Sequence, residues 1–303
     1  MSLLKKSAAL FSAGALALGL VACGNDDGNG ATEAAGAGDV IKMGYLPSWS
    51  DGLSMAYLLE NQLNEMGYEV EHVALSDAAV VYQGLANGDI DLYPSAWPEE
   101  THIEYAERYE DDYESLGSYY ENADLNLSVP EYVDIDSIPE LRGQADRFGG
   151  RIVGIEPGAG LTRATQDDVI PGYDLEGYEL TTSSTTAMLA ELDNAIQNEE
   201  DIVVTLWTPF WANGTFPVKA LEDPEGLFPE PESLHFLARA GFSEEYPELA
   251  DYIGDIDIDD EEYSVLEDLV VNEYGEGNEA EAIQAWLELY PDLLPPLPQN
   301  TEE

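Results

Sequence analysis

The 303 residues contain one cysteine, Cys23. A disulfide within the chain is therefore impossible, and no second thiol is available as a nucleophile. Basic residues are nearly as scarce: 10 Lys and Arg stand against 63 Asp and Glu, a net charge of −53 at pH 7. With no basic patch to meet phosphates, nucleic acid is excluded as a partner. There is no G-x-S-x-G elbow, no Walker loop and no cluster of metal-ligating residues, so nothing points to an enzyme, a cofactor or a metal site. The alternating acids of residues 255–262 look like a calcium loop. They lack the Gly at position 6 and the Glu at position 12 which that geometry needs. After the first 22 residues no apolar run is long enough to span a bilayer.

What is present begins with a leader. Lys5 and Lys6 form a short basic start, residues 7–20 are apolar and small, and Leu20-Val21-Ala22-Cys23 forms a lipobox. Residues 1–22 are thus expected to be a lipoprotein signal peptide, and Cys23 the lipidated residue. Residues 23–39, rich in Gly, Ala and Asp, read as a flexible tether. The expected location is extracytoplasmic, anchored to the cell membrane by the lipid. The acids run through the whole folded region, and the 44% hydrophobic content is that of a globular protein. Such a charge repels itself in dilute buffer, whereas at molar salt the screening length falls to about 3 Å. A protein that works at high salt is the expectation.

Residues 41–45 read as a strand, 54–68 as an amphipathic helix, 69–75 as a strand, 77–89 as a helix closed at Asn87-Gly88, and 90–97 as a strand. This is the rhythm of an α/β domain with a mainly parallel sheet. A second unit follows: a strand entering a Gly-rich turn (152–160), a helix (161–170), a strand (178–184), a helix (184–200) and a strand (201–207). Residues 233–242 read as a strand returning to the first unit, with C-terminal helices over 261–274 and 279–290. About 260 folded residues call for two lobes. We expect lobe 1 to comprise 40–128 and 236–303, and lobe 2 to comprise 129–235, with crossings near 126–131 and 234–238.

In open α/β sheets ligands bind beyond the carboxyl ends of the strands. Trp49 and Trp97 lie just past such ends in the first unit, and Trp207 ends a strand in the second. The three indoles can thus face a common cleft. Three indole faces with no buried acid beside them suit a quaternary ammonium, which has no N–H to donate and is drawn to aromatic faces at ~0.5–2 kcal/mol each. If the ligand also carries a carboxylate, backbone N–H groups of the turn over 154–160 offer an anion site.

At these residues the chain resembles the glycine betaine/proline betaine substrate-binding proteins of bacterial ABC importers. The resemblance lies in IKMGYLPSW, GLANGDIDLYPSAWPEETH, GGRIVGIEPGAGL, SSTTAMLAELDNAI, IVVTLWTPFW, LEDPEGLF and HFLARAGF, all in the family's order, from about Ile41 to Leu293. It implies a two-lobed periplasmic-binding-protein fold of type II that closes over its ligand. It also implies an aromatic cage of Trp49, Trp97 and Trp207, and a carboxylate held by the backbone amides of Gly154 and Ile155. The side-chain donor that some members add falls on Ser54. A permease and an ATPase are the implied partners. The sequence departs from the family at Ser95, where Asp is usual, at Leu206, where Gly is usual, and at Phe210, where His is usual.

Other readings of single residues stand beside these. Tyr45 is a cage-rim or a core residue, His102 a buttress of the cage loop, and Trp211 a support for Trp207. Trp286 is read as core, His235 as a hinge residue, and Gly158 and Gly160 as turn formers. Choline, carnitine, ectoine or proline are alternative ligands within the same importer class. A surface lipoprotein that binds another protein is the alternative outside it.

Overall fold

The computed structural model describes residues 38–298. The expected signal peptide, Cys23 and all but the end of the tether lie outside these residues. The first part of the chain runs β1 (Val40–Tyr45), α1 (Ser50–Glu65), β2 (Glu69–Ala74), α2 (Ala78–Asn87), β3 (Leu92–Ala96), α3 (Ile103–Arg108) and β4 (Tyr113–Pro130). Next come β5 (Arg151–Val153) and α4 (Gly160–Ala164), which continues through π-helical turns (Thr165–Val169) into α5 (Ile170–Gly172). β6 (Glu179–Thr181), α6 (Thr185–Asn198), β7 (Val204–Thr208), α7 (Ala212–Thr215) and β8 (Val218–Ala220) follow. The chain closes with β9 (Glu232–Arg239), α8 (Phe242–Glu245), α9 (Pro247–Gly254), α10 (Asp260–Asp268) and α11 (Glu279–Leu289).

Local chemistry sets several of these boundaries. The Asp77 side chain accepts from Ala79 N–H and caps α2, and Gly88 ends the helix in the left-handed conformation. Ser184 caps α6 through Ala187 N–H. The acids of 255–262 that look like a calcium loop supply a capping box: Asp259 and Glu262 cap α10 reciprocally. α1 begins at Ser50, a turn earlier than the periodicity predicts, with Trp49 as its N-cap residue.

The strands form one path in the order β2-β1-β3-β9-β4-β7-β5-β6, with β8 on β4. Pairing is parallel within β2-β1-β3 and within β6-β5-β7, where helices make the crossovers. The two parallel sets are joined by antiparallel β9 and β4. β4 joins the two halves. Its stretch from Tyr113 to Ala123 pairs with β9, and from Asp124 onward it pairs with β7 and then β8. The sequence reading contains no strand here, because YESLGSYYENADLNLSVP has no clean alternation. Backbone pairing on both sides of the molecule compensates for that weak local signal.

Buried apolar side chains fill both halves, including Met43, Leu59 and Phe236 in the first and Ile152, Met188 and Leu206 in the second. Trp286 is fully buried under α10, where its Nε1 donates to Glu262 O at 2.8 Å. Among the described residues no helix is long and apolar enough to cross a membrane.

Candidate ligand-binding site

Two loops from the first half and one loop and one strand from the second converge. The turn after β1 brings Trp49 and Asp51, and the loop after β3 brings Trp97, Thr101 and His102. The turn after β5 brings Ile155, Ala159 and Gly160, and β7 brings Trp207. Together with Leu125 of β4 and Leu161 they line a cavity of about 30 Å³. The structure thus brings all three expected tryptophans to one cavity, each of them buried.

Each indole is held differently. Trp49 donates through Nε1 to Glu156 Oε2 at 3.1 Å and lies nearly parallel to the His102 ring, with centroids 6.0 Å apart. Trp97 donates through Nε1 to Asp51 Oδ2 at 3.2 Å. Trp207 stacks on Phe210 with centroids 3.9 Å apart and planes 15° apart. Its carbonyl accepts from Asn213 Nδ2 at 2.8 Å. Trp211 touches Phe210 edge-on at 5.7 Å, so it supports Trp207 through that ring.

One expectation fails. The sequence reading places no buried acid beside the cage, yet Asp51 is 2% exposed and lines the cavity. The earlier start of α1 carries it there. Burial raises its pKa, and hydrogen bonds from Ser95 Oγ (2.6 Å) and Trp97 Nε1 pull the other way. Ser95, where the family resemblance leads one to expect Asp, is thus the donor that satisfies an acid supplied from α1. A second buried acid lies behind it: Glu267 of α10 accepts from Ser50 Oγ at 2.7 Å.

The loop carrying Trp97 and His102 is pinned by Glu232, at the start of β9. Its carboxylate accepts from the backbone N–H groups of Glu99, Glu100 and Thr101 and from Thr101 Oγ1. Nothing in the local sequence signals this contact, since the partners are about 130 residues apart. His102 is 2% exposed, and its Nδ1 accepts from Trp97 N–H at 3.2 Å. Burial drives its pKa down to about 3, so the ring is neutral.

The halves meet directly around the cavity. Glu156, from the turn after β5, accepts from Ser48 Oγ (3.1 Å) and Trp49 Nε1 of the first half. It also accepts from Thr185 N–H (3.0 Å) and Thr185 Oγ1 (2.9 Å) at the start of α6. Tyr105 OH donates to Gly158 O at 3.1 Å. Neither Gly158 nor Gly160 is left-handed, so turn geometry is not what they supply. A methyl group on Gly158 would strike the Asp77 carboxylate, and one on Gly160 the Thr101 carbonyl. They are small because the halves approach each other there.

The other expected residues lie further out. Ile155 lines the cavity, while Gly154 N–H is spent on Thr181 O at 2.9 Å. Ser54 is fully buried in α1, and its hydroxyl has no partner among the described residues. Tyr45 packs against Tyr57 and His72 and lines a separate cleft with Glu279. His235, in β9, contacts Glu99 Oε1 and Ser115 Oγ at 2.9 and 3.1 Å.

A family model described as the substrate-binding domain of ABC-type glycine betaine transport systems matches residues 39–289. A glycine betaine/carnitine transport binding protein of Listeria monocytogenes is 35% identical over 146 residues, which are 46% of this chain and 46% of that protein. The chain thus matches about half the length of that curated relative. The glycine betaine/L-proline-binding protein of Borrelia burgdorferi superimposes with a TM-score of 0.77 at 31% identity, covering 85% of this chain and 97% of that one. A lactococcal protein solved closed around glycine betaine gives 0.76 at 29%, covering 84% and 96%.

Proposed function

The chain belongs to the family of substrate-binding domains of ABC-type glycine betaine transport systems, and on that premise we propose that it captures a quaternary-ammonium osmolyte outside the cytoplasm and delivers it to a permease driven by a separate ATPase. The carrying observation is the convergence of Trp49, Trp97 and Trp207 on one cavity. Cation–π contacts to three indoles give roughly 1.5–6 kcal/mol, more when desolvated. They involve no opposite charge at long range, so they persist at molar salt. The cavity is small, so ligand exchange requires the halves to part. Parting them separates Trp207 from Trp49 and Trp97, and closing reassembles the cage.

Glycine betaine is the leading ligand; of the positions expected to hold its carboxylate only Ile155 lines the cavity, since Gly154 N–H is bound to Thr181 O and Ser54 is buried within α1. One observation favours a second ligand. Asp51 lines the same cavity, and an acid there suits a ligand with positive charge alone, such as choline. We place the boundary between the lobes inside β4, where its partner changes from β9 to β7 between Ala123 and Asp124. The lipobox supports lipidation of Cys23 and retention at the membrane, which Cys23→Ala should abolish.

Tryptophan-fluorescence titration of the soluble chain in high salt tests the function directly, with glycine betaine first, then choline, carnitine, ectoine and proline. Saturable binding lost in Trp97→Ala and Trp207→Ala is the expected result. Absence of binding to every quaternary amine would overturn the proposal.

A further inference from the structure

One buried carboxylate takes no part in lining the cavity. Glu267 of α10 is 1% exposed. Its Oε1 accepts from Ser50 Oγ at 2.7 Å, and its Oε2, also buried, has no hydrogen-bond partner among the described residues. The groups that face it come from both halves. From the first they are Ser50 and Asp51 of α1, Tyr119 and Tyr120 of β4, and Tyr263, one turn earlier in α10. From the second it is the backbone N–H of Trp211, which supports the charged form. No Lys, Arg or His stands among them. Asp51 is better supplied, since Ser95 Oγ and Trp97 Nε1 both donate to it. Of the two buried acids, Glu267 is therefore the one that carries a charge at greater cost in the closed molecule.

Contact between the halves is what seals this carboxylate. Trp211 follows β7, the strand that brings Trp207 to the cavity. A cleft of about 400 Å³ is lined by Ser50 and Val271 of the first half and by Thr185, Leu189 and Trp211 of the second. Ser50 and Trp211, the groups that flank Glu267, thus stand on its two sides. Parting the halves widens this cleft, withdraws Trp211 and admits water to the carboxylate, and closing expels that water.

We propose that Glu267 is a proton-binding site linked to ligand capture: closure of the halves takes up a proton from solvent at Glu267, and loss of that proton favours opening and release. The inference rests on the function proposed above and adds an effector, the proton, that acts outside the ligand cavity. Burial pushes the Glu267 pKa up to about 8 in the closed molecule. Water in the opened cleft returns it toward the ordinary Glu value near 4.3. Between the two values the closed form holds a proton that the open form has released. Affinity therefore falls as pH rises through this window and levels off above about 8.

The test is the affinity for glycine betaine across pH at molar salt, where the surface acids are screened and the zwitterion adds no net charge. Wild type should lose roughly tenfold or more in affinity between about pH 6 and 9. Glu267→Gln is neutral at every pH and should give a flat profile. A slope of wild-type size in that variant belongs to another group and overturns the proposal, as does a flat profile in wild type. Ser50→Ala covers the case in which Glu267→Gln does not fold. It removes a donor that favours the charged form, so its slope should extend to higher pH, and an unmoved upper end refutes the assignment. Titration calorimetry of wild type near pH 7, in two buffers of different ionisation enthalpy, counts the protons. Net uptake on betaine binding is expected; no exchange or net release sinks the idea. Failure of wild type to bind betaine or choline at any pH would instead overturn the function itself, and this linkage with it.

Discussion

Trp49 Nε1 donates to Glu156 Oε2 at 3.1 Å, tying an indole of the first half to a carboxylate of the second. The same carboxylate holds Ser48 and both donors of Thr185. Orientation of the Trp49 indole and contact between the halves are therefore one interaction network.

Glu156→Gln should uncouple them. The amide keeps one acceptor and turns an N–H group toward donors. We expect ligand affinity to fall roughly tenfold, mostly through faster release. Stopped-flow fluorescence gives both rates, and an unchanged release rate would separate the latch from ligand retention.

Gly160→Ala should obstruct closure, because its methyl would strike the Thr101 carbonyl. The unliganded protein should keep its melting temperature within about 2 °C, since a shift of the halves relieves the clash. Ligand affinity should drop at least tenfold. Small-angle scattering checks the cause: wild type should contract on ligand addition and the variant should not.

Stability should decline as pH rises from about 4.3 to 8 because of Glu267. Burial pushes its pKa up to about 8, the Ser50 hydrogen bond opposes this, and the charge of Asp51 adds to it. An unfolded Glu titrates near 4.3. Within this window the folded state keeps a proton that the unfolded state has released, so stability falls with pH by up to about 1.4 kcal/mol per unit and levels off above 8. Glu267→Gln should remove this slope, matching wild type near pH 4.5 and exceeding it at pH 8. Denaturant midpoints across the window decide: equal slopes for the two proteins would show that Glu267 does not titrate there.

With a net charge of −53, the folded chain should gain several degrees of melting temperature between dilute buffer and molar sodium chloride. Calorimetry at both salts measures it, and a midpoint that does not rise removes the high-salt reading.

The convergence of the three tryptophans on one cavity was legible because it follows from local rules. Parallel strands end at a predictable edge, and Trp49, Trp97 and Trp207 stand at three such ends. What escaped the sequence depends on distant partners. Asp51 reads as a loop acid ahead of the helix until Ser95 and Trp97, more than 40 residues on, surround it. Glu232 reads as one acid among 63, and only the fold brings it under the loop of Thr101. β4 has the composition of a loop, and its pairing with β9, β7 and β8 makes it a strand. Phe210 looked like a departure from the family; the structure shows it stacked on Trp207, filling its position by packing.

β4 has a further consequence. Its 18 residues span about 60 Å when extended, and both halves of the sheet are hydrogen-bonded to this one ribbon. A ladder-bonded strand twists readily but does not stretch, so it acts as an axle. Under the proposed opening and closing, the halves turn about it without drifting apart, and Trp207 returns to the same place relative to Trp49 and Trp97. Site geometry would thereby be stored in the covalent chain, and capture would not depend on the halves finding each other through solution.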